Sequence, residues 1–206
     1  MYDYLKGQVT RITPEYIVIE QQGIGWRLFT PNPFAFQKTA NEQQVFLHMH
    51  VREDAQFLYG FTSLDQRELF RKLIQVSGIG PKGALAILAT GNPVQVIQAI
   101  EMEDESFLVK FPGVGKKTAR QMILDLKGKL GALLDNVELP SAEEELPLFG
   151  ANPYKHELEE ALLALTALGY AERELAKIQP QLEADETLTT TDAYMKQALQ
   201  LLLKLK

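Results

Sequence analysis

The 206-residue sequence contains no cysteine. That absence excludes disulfide frameworks, thiolate zinc centres and cysteine nucleophiles together, and it fits a reducing, cytoplasmic compartment. No stretch approaches the roughly 18 apolar residues that a membrane helix needs, and Asp3 and Lys6 interrupt the first ten residues, so neither a membrane span nor a secretory leader is expected. Positive charge is also scarce. The formal net charge is −6, whereas a chain that grips phosphates normally carries a basic footprint. What is present is apolar material: 46% of residues are hydrophobic and 23% charged. Disorder over the whole chain is thereby excluded, and the length allows one domain or a few small modules.

The charge is unevenly spread. Residues 1–63 sum to −1, residues 64–135 to +2 and residues 136–206 to −7. The acidity belongs to the C-terminal third, where carboxylates on solvated helix faces account for it, and anion binding belongs in the mildly basic middle.

Three segments follow from the hydrophobic periods. Up to residue 62 the period is two, in Gln8–Ile12, Tyr16–Ile19, Trp26–Phe29, Val45–Val51 and Phe57–Phe61. Turn residues separate these runs, with a short helical turn expected over 34–38 after Pro31-Asn32-Pro33. Five short strands point to a small closed barrel, OB-like. At Ser63 the period becomes helical, opened by a capping box Ser63-Leu64-Asp65-Gln66. Helices are expected from there towards Gly78, then over 82–90, 93–101 (capped by Asn92), 104–111 and 116–130. Residues 136–153, with Glu143, Glu144 and Glu145 among prolines and glycine, have the composition of a mobile acidic linker. Residues 154–206 read as a small three-helix bundle, with helices near 158–168, 171–179 and 191–205. The expected fold class is thus α+β and multidomain.

The middle segment repeats itself. A shift of 35 residues pairs Leu73 with Leu108, Gly78 with Gly113, Ile79 with Val114, Gly80 with Gly115, Lys82 with Lys117 and Ala84 with Ala119. Each copy is a helix, then Gly-apolar-Gly, then lysine at the start of the next helix. Glycine allows positive φ and close backbone approach to a phosphate oxygen, and the apolar residue between anchors the turn. The following helix N-terminus offers free amides and about half a positive charge, and lysine supplies the rest. A single Gly-x-Gly would be an ordinary tight turn; packing alone gives no reason for two with lysines in register. The candidate contacts are Gly78, Ile79, Gly80 and Lys82 in the first copy, and Gly113, Val114, Gly115, Lys116, Lys117 and Arg120 in the second. All address the phosphodiester backbone and none a base edge, so binding should be insensitive to sequence and strongly salt dependent.

Other readings fail on residues. Gly115-Lys116-Lys117-Thr118 looks like the end of a Walker A loop. That loop needs Ser or Thr directly after its lysine and a glycine five residues before its second glycine, where this chain has Lys117 and Lys110. His48 and His50 share a strand face but are too few for a metal site, so no metal and no cofactor is expected. A nuclease or lyase would need a carboxylate cluster or a Schiff-base lysine that the sequence does not offer. A protein-only adaptor would have no use for the paired lysines.

The tandem pattern is that of helix-hairpin-helix motifs, and the whole chain resembles the bacterial RuvA family of Holliday-junction proteins. Val51-Arg52-Glu53-Asp54-Ala55-Gln56-Phe57-Leu58-Tyr59-Gly60-Phe61 is similar to the family's signature at the end of its barrel. Pro112 to Ala119 is similar to its second hairpin, and Leu165-Thr166-Ala167-Leu168-Gly169-Tyr170 to its C-terminal, UBA-like module. Arg120-Gln121 departs from the family's usual acidic-then-basic pair. The resemblance implies a homotetramer, single or doubled, that holds four-way junction DNA open. It implies no catalysis by the chain itself. The partners implied are a RuvB-like hexameric AAA+ ATPase, which hydrolyses ATP and drives branch migration, and a junction-resolving nuclease. It further implies that Glu53 and Asp54 form an acidic pin at the junction centre, and that Leu165, Leu168, Tyr170 and Leu199 lie at or near the motor-binding surface.

Overall fold

The period-two alternation of the first 61 residues becomes five strands in a computed structural model of the chain, which describes residues 2–89, 93–131, 154–185 and 187–205. They are β1 (Tyr4–Ile12), β2 (Tyr16–Gln21), β3 (Ile24–Phe29), β4 (Gln43–Val51) and β5 (Gln56–Phe61). They close a barrel in the order β1-β2-β3-β5-β4, with β1 antiparallel to both β2 and β4. The β3–β5 seam is parallel, at Phe29 opposite Tyr59. Every second side chain points inward, and Leu5, Val9, Ile17, Ile19, Leu28, Val45 and Leu47 fill the interior. Closure brings β1 so near β2 that a Cβ on Gly7 would stand 2.3 Å from the Glu20 carbonyl oxygen, so only glycine fits there. A bulge between Val9 and Arg11 adds the bend. The helical turn expected over 34–38 is a single 3₁₀ turn, Pro33–Ala35, whose Phe34 amide donates to the Asn32 side chain at 3.0 Å.

Helix α1 (Leu64–Leu73) starts three residues after β5 ends. Ser63 Oγ accepts from the Gln66 amide at 3.2 Å, but Gln66 accepts from the Thr62 hydroxyl rather than from the Ser63 backbone. Half of the expected capping box therefore forms, because a nearer donor competes for the glutamine. The helix ends at Leu73, short of Gly78, and Val76 is buried from the turn that follows. Phe70 packs its ring against Phe61, Tyr59 and His48 at centroid distances of 4.9, 5.0 and 5.4 Å. This aromatic seam joins barrel to helices.

The middle continues as α2 (Pro81–Leu88), α3 (Pro93–Glu101), α4 (Glu105–Leu108) and α5 (Lys116–Leu126). α4 is one turn only, capped by Asp104. α5 stops four residues earlier than expected, before Gly128 at φ 73°. The expected Asn92 cap and the 136–153 linker lie outside the described residues. The C-terminal part is three helices, α6 (Tyr154–Leu168), α7 (Glu172–Glu183) and α8 (Thr191–Leu205). α7 runs past its expected end at 179 and carries Pro180 in its last turn. The three helices rest on the rest of the chain. Lys110 Nζ donates to the Leu203 carbonyl at 2.7 Å, and Asn32 Nδ2 to Asp192 Oδ1 at 2.6 Å. Among the described residues no single helix is long and apolar enough to cross a membrane.

Candidate nucleic-acid interface

The 35-residue repeat is a repeat of backbone conformation. Leu73 and Leu108 are both fully buried ahead of the turn, as are Ala84 and Ala119 after it. The Ile79 amide donates to the Val76 carbonyl at 3.1 Å and the Val114 amide to the Phe111 carbonyl at 3.2 Å, which are the same bond in each copy. Gly78 has φ 92° and Gly113 φ 76°, a region that a side chain would strain. Gly80 caps α2 at φ −91°, ψ 174°, and Gly115 caps α5 at φ −88°, ψ 173°. Neither helix start has a side-chain cap, so its first amides face outward and carry the positive end of the helix dipole. Ile79 and Val114 are each 6% exposed, which pins the turn from inside.

The two turns lie side by side. One groove of about 360 Å³ is lined by Gly78, Ile79, Gly80 and Lys82 from the first and by Pro112, Gly113 and Val114 from the second. Gly78 also faces the Thr118 side chain of α5. Lys82, Lys116 and Lys117 are exposed, and no carboxylate among the described residues pairs with Lys116 or Lys117. Arg120 differs, because its Nε donates to Glu105 Oε1 at 2.9 Å. That hydrogen bond and the Glu105 charge raise the arginine's pKa above its ordinary value. Gln121 is engaged along its own helix with Asp125 at 2.9 Å.

Glu53 and Asp54 are exposed at the tip of the β4–β5 hairpin, which the Arg52 amide closes onto the Ala55 carbonyl at 2.8 Å. No group of three or more potential metal ligands occurs among the described residues. His48 and His50 instead pack as aromatics, His48 against Phe70 and His50 against Tyr59. Burial first, and then the positive charge of Arg71, lowers the His48 pKa.

Of the residues that the resemblance places at or near a motor-binding surface, Leu165, Leu168, Tyr170 and Leu199 are all buried in the isolated chain. Burial raises the Tyr170 pKa, and its hydroxyl has no hydrogen-bond partner among the described residues. Leu168 and Gly169 lie in the hairpin groove itself; a Cβ on Gly169 would stand 3.8 Å from Pro112 Cβ and 3.9 Å from Lys82 Cε. The exposed leucines of this part are Leu163 and Leu205. Sequence reasoning also missed Arg67, a charged side chain buried between barrel and α1. Its signal was spacing, since Arg67 and Phe70 share one helix face.

Residues 1–60 match the model of the RuvA N-terminal domain, 70–128 that of a SAM-like tandem helix-hairpin-helix, and 157–203 that of the RuvA C-terminal domain. The chain belongs to the RuvA family. The first match spans the barrel with its acidic turn, the second both hairpins, and the third most of the C-terminal helices. A Lysinibacillus sphaericus protein named Holliday junction branch migration complex subunit RuvA is 80% identical over 206 residues, all of both chains. Proteins of the same name from Listeria monocytogenes and Bacillus thuringiensis are 56% and 55% identical over 205 and 203 residues. Those alignments cover 99% of this chain and 100% of the Listeria protein, and 98% of both chains for the Bacillus protein.

Proposed function

We propose that this chain is the non-catalytic, junction-binding subunit of a branch-migration complex. It acts in the cytoplasm on four-way DNA and leaves ATP hydrolysis to a RuvB-like hexameric AAA+ partner. The observation that carries the reading is the pair of conformationally matched hairpins on one groove, each opening an uncapped helix start beside lysine. That pair addresses two phosphate positions of one duplex without reading sequence. Exposed Tyr2, Tyr4, Ile24 and Val51 on the barrel support assembly into a tetramer. Fourfold assembly would gather four copies of Glu53 and Asp54. A carboxylate about 4 Å from a phosphate repels it by about 1 kcal/mol in water and about 4 at an effective dielectric of 20, enough to hold strands apart.

Duplex and the Leu168–Gly169 corner exclude one another from the groove, so DNA entry displaces the C-terminal helices and uncovers Leu168 for the motor. Leu165, Tyr170 and Leu199 then support that surface from within. A junction-resolving nuclease would act on the junction thus held open.

The testing experiment titrates the protein onto a four-way junction and onto a duplex of the same arms at several salt concentrations. Junction preference is expected, with log affinity falling by about 0.9 per log unit of salt for each duplex phosphate neutralised. Equal affinity for both DNAs would leave only a generic DNA-tracking module, and cleavage of the junction in Mg²⁺ alone would make the chain a nuclease. Glu53→Gln with Asp54→Asn should raise duplex affinity a few-fold and lower the junction-to-duplex ratio, since repulsion is what penalises an unbranched helix. An unchanged ratio removes the pin role.

A further inference from the structure

Arg67 is the one charged residue buried among the described residues, at 7% exposure. It sits one turn into α1, on the face that Phe70 turns to the barrel. Its Nη1 donates to the Asp3 carbonyl at 2.9 Å and to the Asp3 carboxylate. Nε and Nη2 donate to Glu68 Oε1 at 3.1 and 3.0 Å, and Cζ stands 6.0 Å from the Phe46 ring. The same Asp3 carbonyl accepts from the Leu47 amide at 2.8 Å. The arginine is therefore hooked onto the rung that opens the β1–β4 ladder.

Stability alone does not call for this arrangement. Burying an ion costs desolvation that its partners roughly repay, and an apolar side chain would pack as well between Phe46 and Phe70. What a guanidinium adds is direction, because a planar fork bonded on two sides tolerates little rotation. Direction matters at this point of the fold. Apart from the bridging C-terminal helices, the hairpin domain joins the barrel through the two-residue connection Thr62-Ser63 and the aromatic seam. α1 has ten residues. At about 1.5 Å per residue it is a lever of about 15 Å, so a tilt of about 10° moves its far end, where the first hairpin begins, by about 3 Å. A hydrogen bond to a phosphate does not survive that displacement.

We infer that Arg67 is the positioning residue for junction selectivity: by locking α1 to the start of the barrel it sets the angle between the Glu53–Asp54 turn and the two hairpins. The inference rests on the roles proposed above for that turn and those hairpins. A linear duplex asks only that the hairpins be intact. A branched substrate asks that acids and hairpins be met together, so only the branched substrate detects the angle.

Arg67→Met and Arg67→Lys test it in the full-length protein, with four-way junction and duplex titrated side by side. Arg67→Met should lose about tenfold in junction affinity, the scale of one charged hydrogen bond, with duplex affinity held within about twofold. Arg67→Lys keeps a charge without the fork and should lose about threefold on the junction only, and it carries the test if the methionine variant fails to fold. The absence of cysteine lets two introduced cysteines, Lys38→Cys and Gln98→Cys, report the barrel-to-hairpin distance by spin labels, diluted with unlabelled chain. Arg67→Met should broaden that distance. An unchanged junction-to-duplex ratio, an equal loss on both DNAs, or an unbroadened distance overturns the inference while the junction reading stands. Wild-type protein without junction preference overturns the junction reading first, and this inference with it.

Discussion

The two hairpins have nearly the same backbone, with cap angles that agree within a few degrees, yet they present different chemistry at their surfaces. The first offers one lysine, Lys82, and Pro81 removes one of its helix-start amides. Its lysine also lies against Gly169 of the C-terminal helices. The second offers Lys116 and Lys117, keeps every amide, and a Cβ added at Gly113 or Gly115 would meet nothing within 4 Å. Duplication preserved the conformation, which packing enforces through Ile79 and Val114, and let the charges diverge, which packing does not see. The Gly169 corner touches both turns, at Lys82 of the first and at Pro112 of the second, while Lys116 and Lys117 stand clear of it, so on the function proposed above the second hairpin keeps the more accessible cations.

The largest expected effect breaks that asymmetry at its strong end. Lys116→Ala with Lys117→Ala should lower duplex affinity about a hundredfold, and the salt slope should fall by about 0.9 for each phosphate contact removed. Unchanged DNA binding would return the chain to the class of protein-only adaptors. Next in size is the backbone itself. Gly78→Ala and Gly113→Ala each force a Cβ into the left-handed region, at a cost of about 1–2 kcal/mol in thermal melts. The two costs should be similar, because a Cβ at Gly78 would stand in ordinary contact with Thr118 Oγ1 at 3.4 Å and that of Gly113 meets open space. No loss of Tm in either variant would mean that the positive φ is not held by the fold.

The smaller effects concern the covered hairpin. Lys82→Ala should weaken duplex binding about fivefold, less than the double lysine change. Leu168→Asp, which places a charge in the apolar corner of the groove, should loosen the C-terminal helices and raise duplex affinity above that of the wild type. In that background the Lys82→Ala loss should grow. A loss of the same size with and without Leu168→Asp would show that the covering does not mask the first hairpin.

What could be read from sequence was local. All five strands announced themselves by alternation, because each has one face in the barrel, although β1 begins at Tyr4 rather than Gln8 since Gly7 interrupts the pattern. Both hairpins were legible because the repeat is written in residue identity. What escaped depends on contacts between distant residues. Arg67 bonds Asp3 across 64 positions, and Asn32 bonds Asp192 across 160. Leu168 matched helical periodicity equally well as bundle core or partner surface, and only its place beside Gly80 and Lys82 reveals a third role, as cover for the groove. Leu165, Tyr170 and Leu199 are placed at or near a motor-binding surface by resemblance alone; no local pattern separates that role from core packing, and in the isolated chain they are buried.

Acidification supplies the smallest effect and separates the hairpins from the seam that carries them. Neither Ser77–Lys82 nor Pro112–Lys117 contains a histidine or a carboxylate, so phosphate contacts at both hairpins should be unchanged between about pH 7.5 and 5.5. The seam behaves differently. His48 lies against Phe70 with its folded-state pKa lowered below 6.5, by burial first and then by Arg71, His50 and Arg67, with Glu68 opposing. Below about pH 6.5 the unfolded chain takes up the His48 proton while the folded chain resists it. Stability is therefore full above that pH and declines as the pH falls towards the folded-state value. Wild-type Tm should be lower at pH 5.5 than at 7.5, and His48→Gln should reduce that difference whatever it does to the absolute Tm. An equal pH difference in both proteins would move the acid sensitivity elsewhere, whereas a parallel loss of duplex affinity at pH 5.5 would tie the hairpin geometry to the protonation of the seam.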